Sequence, residues 1–227
     1  MENAWKPADL ARMRKAYDRG ALAESDLAPA PLPQFARWLR EAAEAGMAEP
    51  NAMVLATADA AGRPSSRLVL LKGVDAAGFR FFTNRRSRKA RALAENPQVA
   101  LLFPWHDLHR QVEVRGAAEP MSADESAAYF KTRPRESQLA AWASRQSAPL
   151  AGRAELEKRL AELRARWPEG TEIPAPEFWG GYLVRAESVE FWHGRESRLH
   201  DRLRYEALRP AAPLDDPAAW QVRRYAP

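Results

Sequence analysis

Five short β-prone segments between residues 51 and 120 constrain the fold of this chain more than any other feature. They are "NAMVLATAD", "SSRLVLLKGVD", "GFRFFTN", "QVALLFPW" and "RQVEVRGAAEP", with turn residues such as Gly, Pro and Asn between them. Short strands at this spacing are typical of β-sandwiches and β-barrels. The sequence therefore predicts one mainly β domain with flanking helices, of the α+β class.

Helical patterns surround these strands. We predict helices over residues 8–19 and 34–47, with the proline-rich "LAPAPLP" as an extended connector between them. "RSRKARALAENP" predicts a short helix capped by Ser87 or Asn84, and "SADESAAYFKT" opens with a capping box of Ser122 and Glu125. Two more helices are predicted in "PRESQLAAWASRQ" and "LAGRAELEKRLAELRARW", then a hairpin from "FWGGYLVRAESVEFWHG" and "SRLHDRLRYE", and a last strand in "WQVRRYAP".

Composition limits the class of protein. The 227 residues, 46% of them hydrophobic, can bury a substantial core, and we expect a single domain over residues 31–227 after a helical, partly mobile segment 1–30. The absence of Cys excludes disulfides and thiolate chemistry. No apolar run is long enough for a membrane span, and the polar N-terminus lacks a secretory signal, so we expect a cytoplasmic protein without a membrane partner.

Positive charge is concentrated in one stretch. The net charge is +5, but nine basic residues occur from Arg63 to Arg91 against Asp75 alone. Such a patch attracts phosphate esters or nucleic acid, and a solvated basic face is the alternative. Arg88 and Lys89 fall in the first turn of the predicted helix, where the helix dipole disfavours cations. A phosphate bound there would explain them, and both pointing into solvent is the alternative.

A second candidate anion site lies in "YFKTRPRESQ". Tyr129, Arg133 and Ser137 are spaced four residues apart, although Pro134 disturbs a continuous helix. Two hydroxyls and a guanidinium suit a phosphate monoester, and an exposed polar face is the alternative. "RESRLHDRLRY" near the C-terminus holds four arginines and one histidine, and its role stays open at this level. His106 and His109 lack paired carboxylates nearby, so we predict no metal site.

Six strings in order resemble the pyridoxine/pyridoxamine 5′-phosphate oxidase family, over about residues 31–227. They are "SSRLVLLKGVD", "GFRFFTNRRSRKARALAENP", "WHDLHRQVEVRG", "YFKTRPRESQLAAWASRQS", "VEFWHGRESRLHDR" and the closing "YAP". The resemblance implies an FMN-binding split β-barrel with a C-terminal dimerisation region, working as a homodimer with FMN at the subunit interface. It implies that the flavin contacts, some from the partner chain, are Arg67, Leu68, Val69, Leu70, Leu71, Lys72, Phe82, Thr83, Arg88, Lys89, Gln111, Gln146, Ser147, Trp192 and Arg202.

The same resemblance implies a substrate site. Its phosphate contacts would be Lys72, Tyr129, Arg133 and Ser137, and its pyridine contacts Arg198, Leu199 and His200. A shorter match places Arg14 and Tyr17 near the product. Arg198 and His200 are the expected catalytic residues: Arg198 would steer the substrate and stabilise negative charge, while His200 would either orient the ring or assist proton transfer. Arg198, His200 and Arg202 share a parity, as on one face of a strand.

The implied reaction is the oxidation of pyridoxamine or pyridoxine 5′-phosphate by O₂ to pyridoxal 5′-phosphate, with H₂O₂ released and no metal required. A related split-barrel flavin or deazaflavin reductase is the alternative enzyme, and a non-catalytic binder of flavin, pyridoxal phosphate or nucleic acid is the alternative outside catalysis. Retention of the phosphate and pyridine contacts argues against the reductase, and no nucleic-acid motif is present, so we expect no nucleic-acid partner. Departures from the family pattern are Phe82, Glu113, Ala140 and His193.

Overall fold

The computed structural model describes residues 12, 17 and 20–227 of the chain. Within this part, five α-helices are α1 (Pro31–Glu44), α2 (Arg88–Glu95), α3 (Ala123–Lys131), α4 (Arg135–Ala143) and α5 (Arg153–Arg166). Short 3₁₀ turns lie at Glu24–Asp26, His106–Leu108, Glu196–Arg198 and Pro217–Ala219.

One antiparallel sheet of nine strands forms the body of the described residues. In the order β2-β1-β5-β6-β7-β4-β3 it curls into a half-closed barrel, while β8 pairs with β7 and β9 pairs with β8. This architecture confirms the predicted mainly β split barrel with flanking helices. The strands are β1 (Ala52–Ala58), β2 (Pro64–Leu70), β3 (Gly73–Asp75), β4 (Gly78–Asn84), β5 (Gln98–Trp105), β6 (Arg110–Pro120), β7 (Trp179–His193), β8 (Asp201–Ala207) and β9 (Trp220–Arg224).

Strand β7 is the longest and is divided between two partners on one edge. Its first six residues, Trp179–Val184, pair with β4, and its last six, Ser188–His193, pair with β8. Along the other edge β6 pairs with it from Tyr182 to His193, with a shift of register between Arg115 and Gly116. A Cβ at Gly116 would stand 1.9 Å from the Arg185 carbonyl oxygen, so only glycine permits this close approach. Strand β7 thus exchanges β4 for β8 along the first edge.

Alternation along the strands builds the core, because side chains two residues apart share a face. The pattern is clearest in β1, where Met53 and Leu55 are fully buried. Helix α1 packs on the barrel through Phe35 and Trp38, and the Phe35 ring meets Phe79 edge-on at 5.1 Å between centroids. A smaller apolar cluster lies under α3, α4 and α5, formed by Phe130, Leu139, Ile173 and Trp179.

Local signals in the sequence account for most helix starts. Ser87 caps α2 by accepting a hydrogen bond from the Ala90 amide, and Ser122 and Glu125 form the predicted capping box of α3. The prolines of "LAPAPLP" do not all lie in a connector as predicted, since α1 begins at Pro31. Proline suits the first helical position, because that residue needs no amide partner and its φ is already helical.

The run "SSRLVLLKGVD" was predicted as one strand and is two. β2 ends at Leu70, after which the Leu71 amide donates to the Asn51 carbonyl and the Lys72 amide to the Arg80 carbonyl. The chain therefore changes partner at this point, from β1 to β4. The helix predicted over residues 8–19 falls almost entirely on residues that the structure does not describe. Among those it does describe, no helix has the length and apolar character needed to cross a membrane.

Candidate active site

A cavity of about 770 Å³ opens beside the edge strand β2. Its walls come from β2, the end of β4, the first turn of α2, and the helices α3 and α4. Most of the predicted flavin contacts and three of the predicted phosphate contacts meet here. The lining residues are Ser65, Ser66, Arg67, Leu68, Val69, Leu70, Lys72, Phe82, Thr83, Asn84, Arg88, Lys89, Tyr129, Arg133, Ala140, Ala141, Ser144, Gln146, Ser147 and Trp179.

Positive charge dominates this lining, because the described residues in it include five Lys or Arg side chains and no Asp or Glu. Lys89 is the most enclosed of them, with 8% of its surface exposed. Its ammonium donates to Thr83 Oγ1 at 3.1 Å and to Gln146 Oε1 at 3.4 Å. Burial, and then the charge of Arg67, lowers the pKa of Lys89 to about 8. The first turn of α2 thus holds a cation whose hydrogen-bond partners are all neutral.

Arg67 and Ser147 complete the wall around Lys89. The Arg67 guanidinium is held by the Leu55 carbonyl at 3.0 Å and by the hydroxyls of Thr57 and Ser65 at 2.9 and 2.5 Å. Burial and the neighbouring Arg88 lower the pKa of Arg67. The Arg88 amide donates to Ser147 Oγ at 3.1 Å. Three cations and a helix N-terminus therefore converge without a carboxylate, which is the donor set of a phosphate site.

A second group of donors lies across the same cavity, around Arg133. The rings of Phe82, Tyr129 and Trp179 are nearly parallel, with the Phe82 centroid 3.9 Å from that of Tyr129 and 5.3 Å from that of Trp179. The Arg133 guanidinium lies 4.7 Å from the centre of the Trp179 ring. Arg133 Nη1 is buried without a hydrogen-bond partner among the residues described. Burial lowers the pKa of Arg133 and raises that of Tyr129. With Lys72 in the same lining, these donors are suited to a second anion.

The predicted interruption at Pro134 is observed. α3 ends at Lys131 and α4 begins at Arg135, so Arg133 lies in the link between them. Ser137, one turn before the lining residues Ala140 and Ala141, does not itself line the cavity. Leu71 was predicted with the flavin contacts, and its side chain is buried in the main core, at the point where the chain leaves β2.

The remaining flavin contacts form a separate group on the sheet. Gln111 on β6 lies directly opposite Trp192 on β7, and Trp192 lies directly opposite Arg202 on β8. Residues in register on neighbouring strands share a face, so three positions far apart in sequence become one polar row. None of the three lines the cavity.

The predicted pyridine contacts lie beside this row. Trp192 and His200 have ring centroids 4.7 Å apart, and the Tyr17 ring meets His200 edge-on at 5.4 Å. The parity argument for Arg198, His200 and Arg202 is wrong, because β8 begins only at Asp201. Arg198 instead belongs to a 3₁₀ turn in which Ser197 and Arg198 have φ of 54° and 61°. Leu199, at the end of this turn, is 71% exposed, and Arg14 lies outside the described residues.

His200 has a defined hydrogen-bond arrangement. Its Nδ1 accepts from the Arg195 backbone amide at 3.0 Å. Because a backbone amide can only donate, the neutral imidazole carries its proton on Nε2. Burial and the neighbouring Arg198 lower the pKa of His200, which favours this neutral form at pH 7. The ring therefore offers a ligand a hydrogen-bond donor at Nε2.

The two groups are distant within one chain. Register connects Leu68 of the cavity, through Val54, Leu102 and Glu113, to Glu190, two residues before Trp192. Four interstrand steps of about 4.8 Å make this path roughly 19 Å across the sheet. We call the residues that line the cavity the cavity group. We call Gln111, Trp192 and Arg202, together with the residues beside them on β7, on β8 and in the turn between these strands, the β7–β8 group.

Sequence reasoning missed two contributors. Trp179 stacks on Phe82 and lies against Arg133. Nothing in the sequence around Trp179, at the start of a glycine-containing strand, indicated these contacts. Glu190 is 4% exposed and binds both Arg202 and Arg204, so Arg204 takes part in a buried ion-pair network. A carboxylate in the otherwise apolar "VEFW" was the available signal. No cluster of three or more metal-ligating side chains occurs in the described part of the chain.

Comparison with known proteins assigns the chain to a family. Residues 39–167 match the family model described as pyridoxamine 5′-phosphate oxidase, and residues 179–227 match the pyridoxine 5′-phosphate oxidase C-terminal dimerisation region. The latter span contains Trp192, Arg198, His200 and Arg202.

Curated relatives and solved structures agree with this assignment. The chain is 60% identical over 197 residues to a pyridoxine/pyridoxamine 5′-phosphate oxidase of Rubrobacter xylanophilus, covering 87% of this chain and 90% of that protein. It is 52% identical to one of Thermobifida fusca, covering 97% and 99%.

Among solved structures, PhzG from Burkholderia lata in complex with tetrahydrophenazine-1-carboxylic acid is similar, with a TM-score of 0.80, 32% identity, and coverage of 91% and 98%. An FMN binding protein from Nostoc punctiforme, 18% identical with a TM-score of 0.68 and coverage of 89% and 100%, shares the fold. On these matches and on the site that the fold assembles, the chain belongs to the pyridoxine/pyridoxamine 5′-phosphate oxidase family.

Proposed function

We propose that this protein is an FMN-dependent oxidase that converts pyridoxamine 5′-phosphate and pyridoxine 5′-phosphate to pyridoxal 5′-phosphate. The observation that carries the proposal is one cavity whose cations form two separate groups, with no carboxylate among the described residues that line it. A flavin mononucleotide and a phosphorylated substrate that bind together require two phosphate-binding positions in one site. Relatives named for this reaction, at 52–60% identity over most of the chain, support the choice of substrate.

The cofactor phosphate fits the donors around Lys89. Arg67, Arg88 and Lys89 offer charge, and Ser147 offers a hydroxyl next to the first turn of α2. Burying Lys89 without a counter-charge is costly in the empty protein, and a bound dianion would offset that cost. The flavin ring would then extend along β2. The Leu68 side chain there is large and apolar but 69% exposed, so a bound ring could cover it. When bound, FMN supplies the two-electron acceptor, which O₂ reoxidises with formation of H₂O₂.

The substrate phosphate fits the donors around Arg133. The buried, unpartnered Nη1 of Arg133 would gain an acceptor, and the Tyr129 hydroxyl and Lys72 ammonium would complete the contacts. Stacking of Tyr129, Phe82 and Trp179 restricts the side chains on which this anchor rests. A fixed phosphate holds the substrate in one position, which supplies the proximity part of catalysis.

The pyridine ring would be held by the β7–β8 group. His200 would donate its Nε2 proton to an acceptor on the ring, which gives it an orienting role rather than that of a base. Arg198 would place a positive charge near the ring, where it steers the substrate and stabilises developing negative charge. The left-handed backbone at Ser197 and Arg198 holds this turn in a conformation that the surrounding structure must stabilise.

We propose that one complete site takes its cavity group from one chain and its β7–β8 group from a second chain. The two groups are too far apart within one chain to contact one small ligand together. The β7–β8 group lies almost entirely in the segment that matches a dimerisation region. Leu68 in one group and Leu199 in the other are exposed large apolar side chains, which a partner would cover. A homodimer with two such sites in the cytoplasm is the resulting proposal.

The first prediction concerns the reaction itself. Purified protein reconstituted with FMN is expected to turn yellow, to convert pyridoxamine 5′-phosphate in air to pyridoxal 5′-phosphate, and to release one H₂O₂ per product. Flavin absorbance, product absorbance and a peroxidase-coupled assay measure the three quantities. Protein that binds no FMN, or that binds FMN without oxidising either phosphorylated substrate, would contradict the proposal.

The second prediction tests the substrate phosphate site. Arg133→Ala should raise KM for pyridoxamine 5′-phosphate roughly 10- to 100-fold, because a charge-assisted hydrogen bond contributes about 1.5–3 kcal/mol. Turnover of unphosphorylated pyridoxamine, which lacks the anchored group, should change little. Steady-state kinetics on both substrates make the measurement.

Arg166→Ala is the matched control, since Arg166 lies over Trp167 at 4.7 Å much as Arg133 lies over Trp179, but outside the cavity. If Arg133→Ala lowered catalytic efficiency equally for the phosphorylated and the unphosphorylated substrate, that result would count against a phosphate contact.

The third prediction is a pH dependence of flavin binding. A bound phosphate favours protonated Lys89, whose pKa in the free protein is about 8. FMN affinity should therefore be constant below pH 8 and fall above it, by at most about tenfold per pH unit for one proton. Fluorescence titration of FMN-free protein from pH 6.5 to 9.5 measures this. Lys89→Arg stays charged and should give a flatter profile; identical profiles would rule out the role assigned to Lys89.

A further inference from the structure

The β7–β8 group contains a buried carboxylate that the proposed reaction does not use. Glu190 is 4% exposed and accepts four charge-assisted hydrogen bonds. Arg202 donates Nε to Oε1 at 2.9 Å and Nη2 to Oε2 at 3.0 Å, while Arg204 donates Nε and Nη2 to Oε2 at 3.0 and 2.6 Å. Burial alone would raise the pKa of Glu190, but the two guanidinium groups hold it below its usual range.

Arg202 is fixed on a second side by the closing "YAP" segment. Its Nη1 donates to the Ala226 carbonyl at 3.0 Å, and its own carbonyl accepts from the Tyr225 amide at 2.9 Å. The Tyr225 ring lies 4.1 Å from the Arg204 guanidinium, and the Tyr225 hydroxyl donates to Glu206. A guanidinium has five N–H donors, so two of those on Arg202 have no partner among the described residues and can be offered to a ligand. The Arg202 side chain is 29% exposed, so a ligand can reach them.

We propose that Glu190 is a positioning residue, which acts through Arg202 to present its two remaining N–H donors to the flavin bound in the partner's cavity. This inference rests on the proposed function. A flexible arginine beside Trp192 would lose conformational entropy each time it bound the cofactor, whereas a guanidinium clamped in two directions has already lost it.

The choice of Glu190 is supported by its contrast with Glu113. Glu113 lies directly opposite Glu190 on β6 and bears the same charge, but it binds Arg115 at 3.0 Å and does not contact Arg202. Glu113→Gln therefore removes one carboxylate from the same row of the sheet without touching the clamp. It is the matched control for Glu190→Gln.

The experiment measures FMN dissociation constants by fluorescence titration of FMN-free protein. In Glu190→Gln an amide N–H₂ replaces one oxygen, so Arg202 loses at least one of its two bonds to this side chain. The constant should rise roughly 10- to 100-fold, and Glu113→Gln should leave it within about twofold. In an Arg202→Met background, Glu190→Gln should cause no further loss, because its effect passes through Arg202.

The outcomes separate the two proposals. Wild-type protein that binds no FMN would overturn the proposed function and this inference together. Wild-type binding with an unchanged constant in Glu190→Gln, or an equal loss with and without Arg202, would overturn only the role of Glu190. If Glu190→Gln does not fold, Glu190→Asp keeps the charge and shortens its reach by one methylene. A rise in its FMN constant, with the melting temperature of the FMN-free protein retained, supports positioning, and an unchanged constant contradicts it.

Discussion

The division of β7 between two partner strands is the constraint on which the rest of the structure depends. Its first half pairs with β4 and places Phe82 and Thr83 at the cavity, whereas its second half pairs with β8 and aligns Trp192 with Arg202. Because hydrogen-bonded strands cannot slide past one another, the two groups stay fixed relative to each other, four interstrand steps apart across the sheet. In the proposed dimer the same rigidity becomes useful, since it presents each group to a second chain in a defined orientation.

Charge in the cavity makes the site suited to anions. Arg67, Arg88 and Lys89 converge where the part of the lining that the structure describes has no carboxylate, and burial lowers the pKa of Lys89 and Arg67. Like charges held together weaken the empty protein, and a bound phosphate relieves that repulsion. The β7–β8 group is arranged differently, because Glu190 neutralises part of the charge of Arg202 and Arg204. One group is thus suited to capture phosphate, and the other to place donors beside a ring system.

The elements were largely predictable, and the assembly of the site was not. Alternation gave the strands, and the caps at Ser87 and Ser122 gave two helix starts, because these signals act within a few residues. The cations in the first turn of α2 were visible as a local contradiction of the helix dipole. The separation of Arg67 from Arg202 could not be predicted from spacing, since it depends on how β2, β1, β5 and β6 are ordered across the sheet. The parity error at Arg198 has a similar cause, a left-handed turn at two non-glycine residues that no local signal encodes.

The assembly of each site from two chains is the central claim, and subunit complementation tests it most directly. One parent carries Lys72→Ala and Arg133→Ala in the cavity group, and the other carries Arg198→Ala and His200→Ala in the β7–β8 group. Each should be nearly inactive alone. A mixed dimer would contain one doubly damaged site and one intact site, so statistical mixing should restore about a quarter of wild-type activity. Activity that never exceeds the sum of the two parents would show that each site lies within a single chain, and would contradict the account.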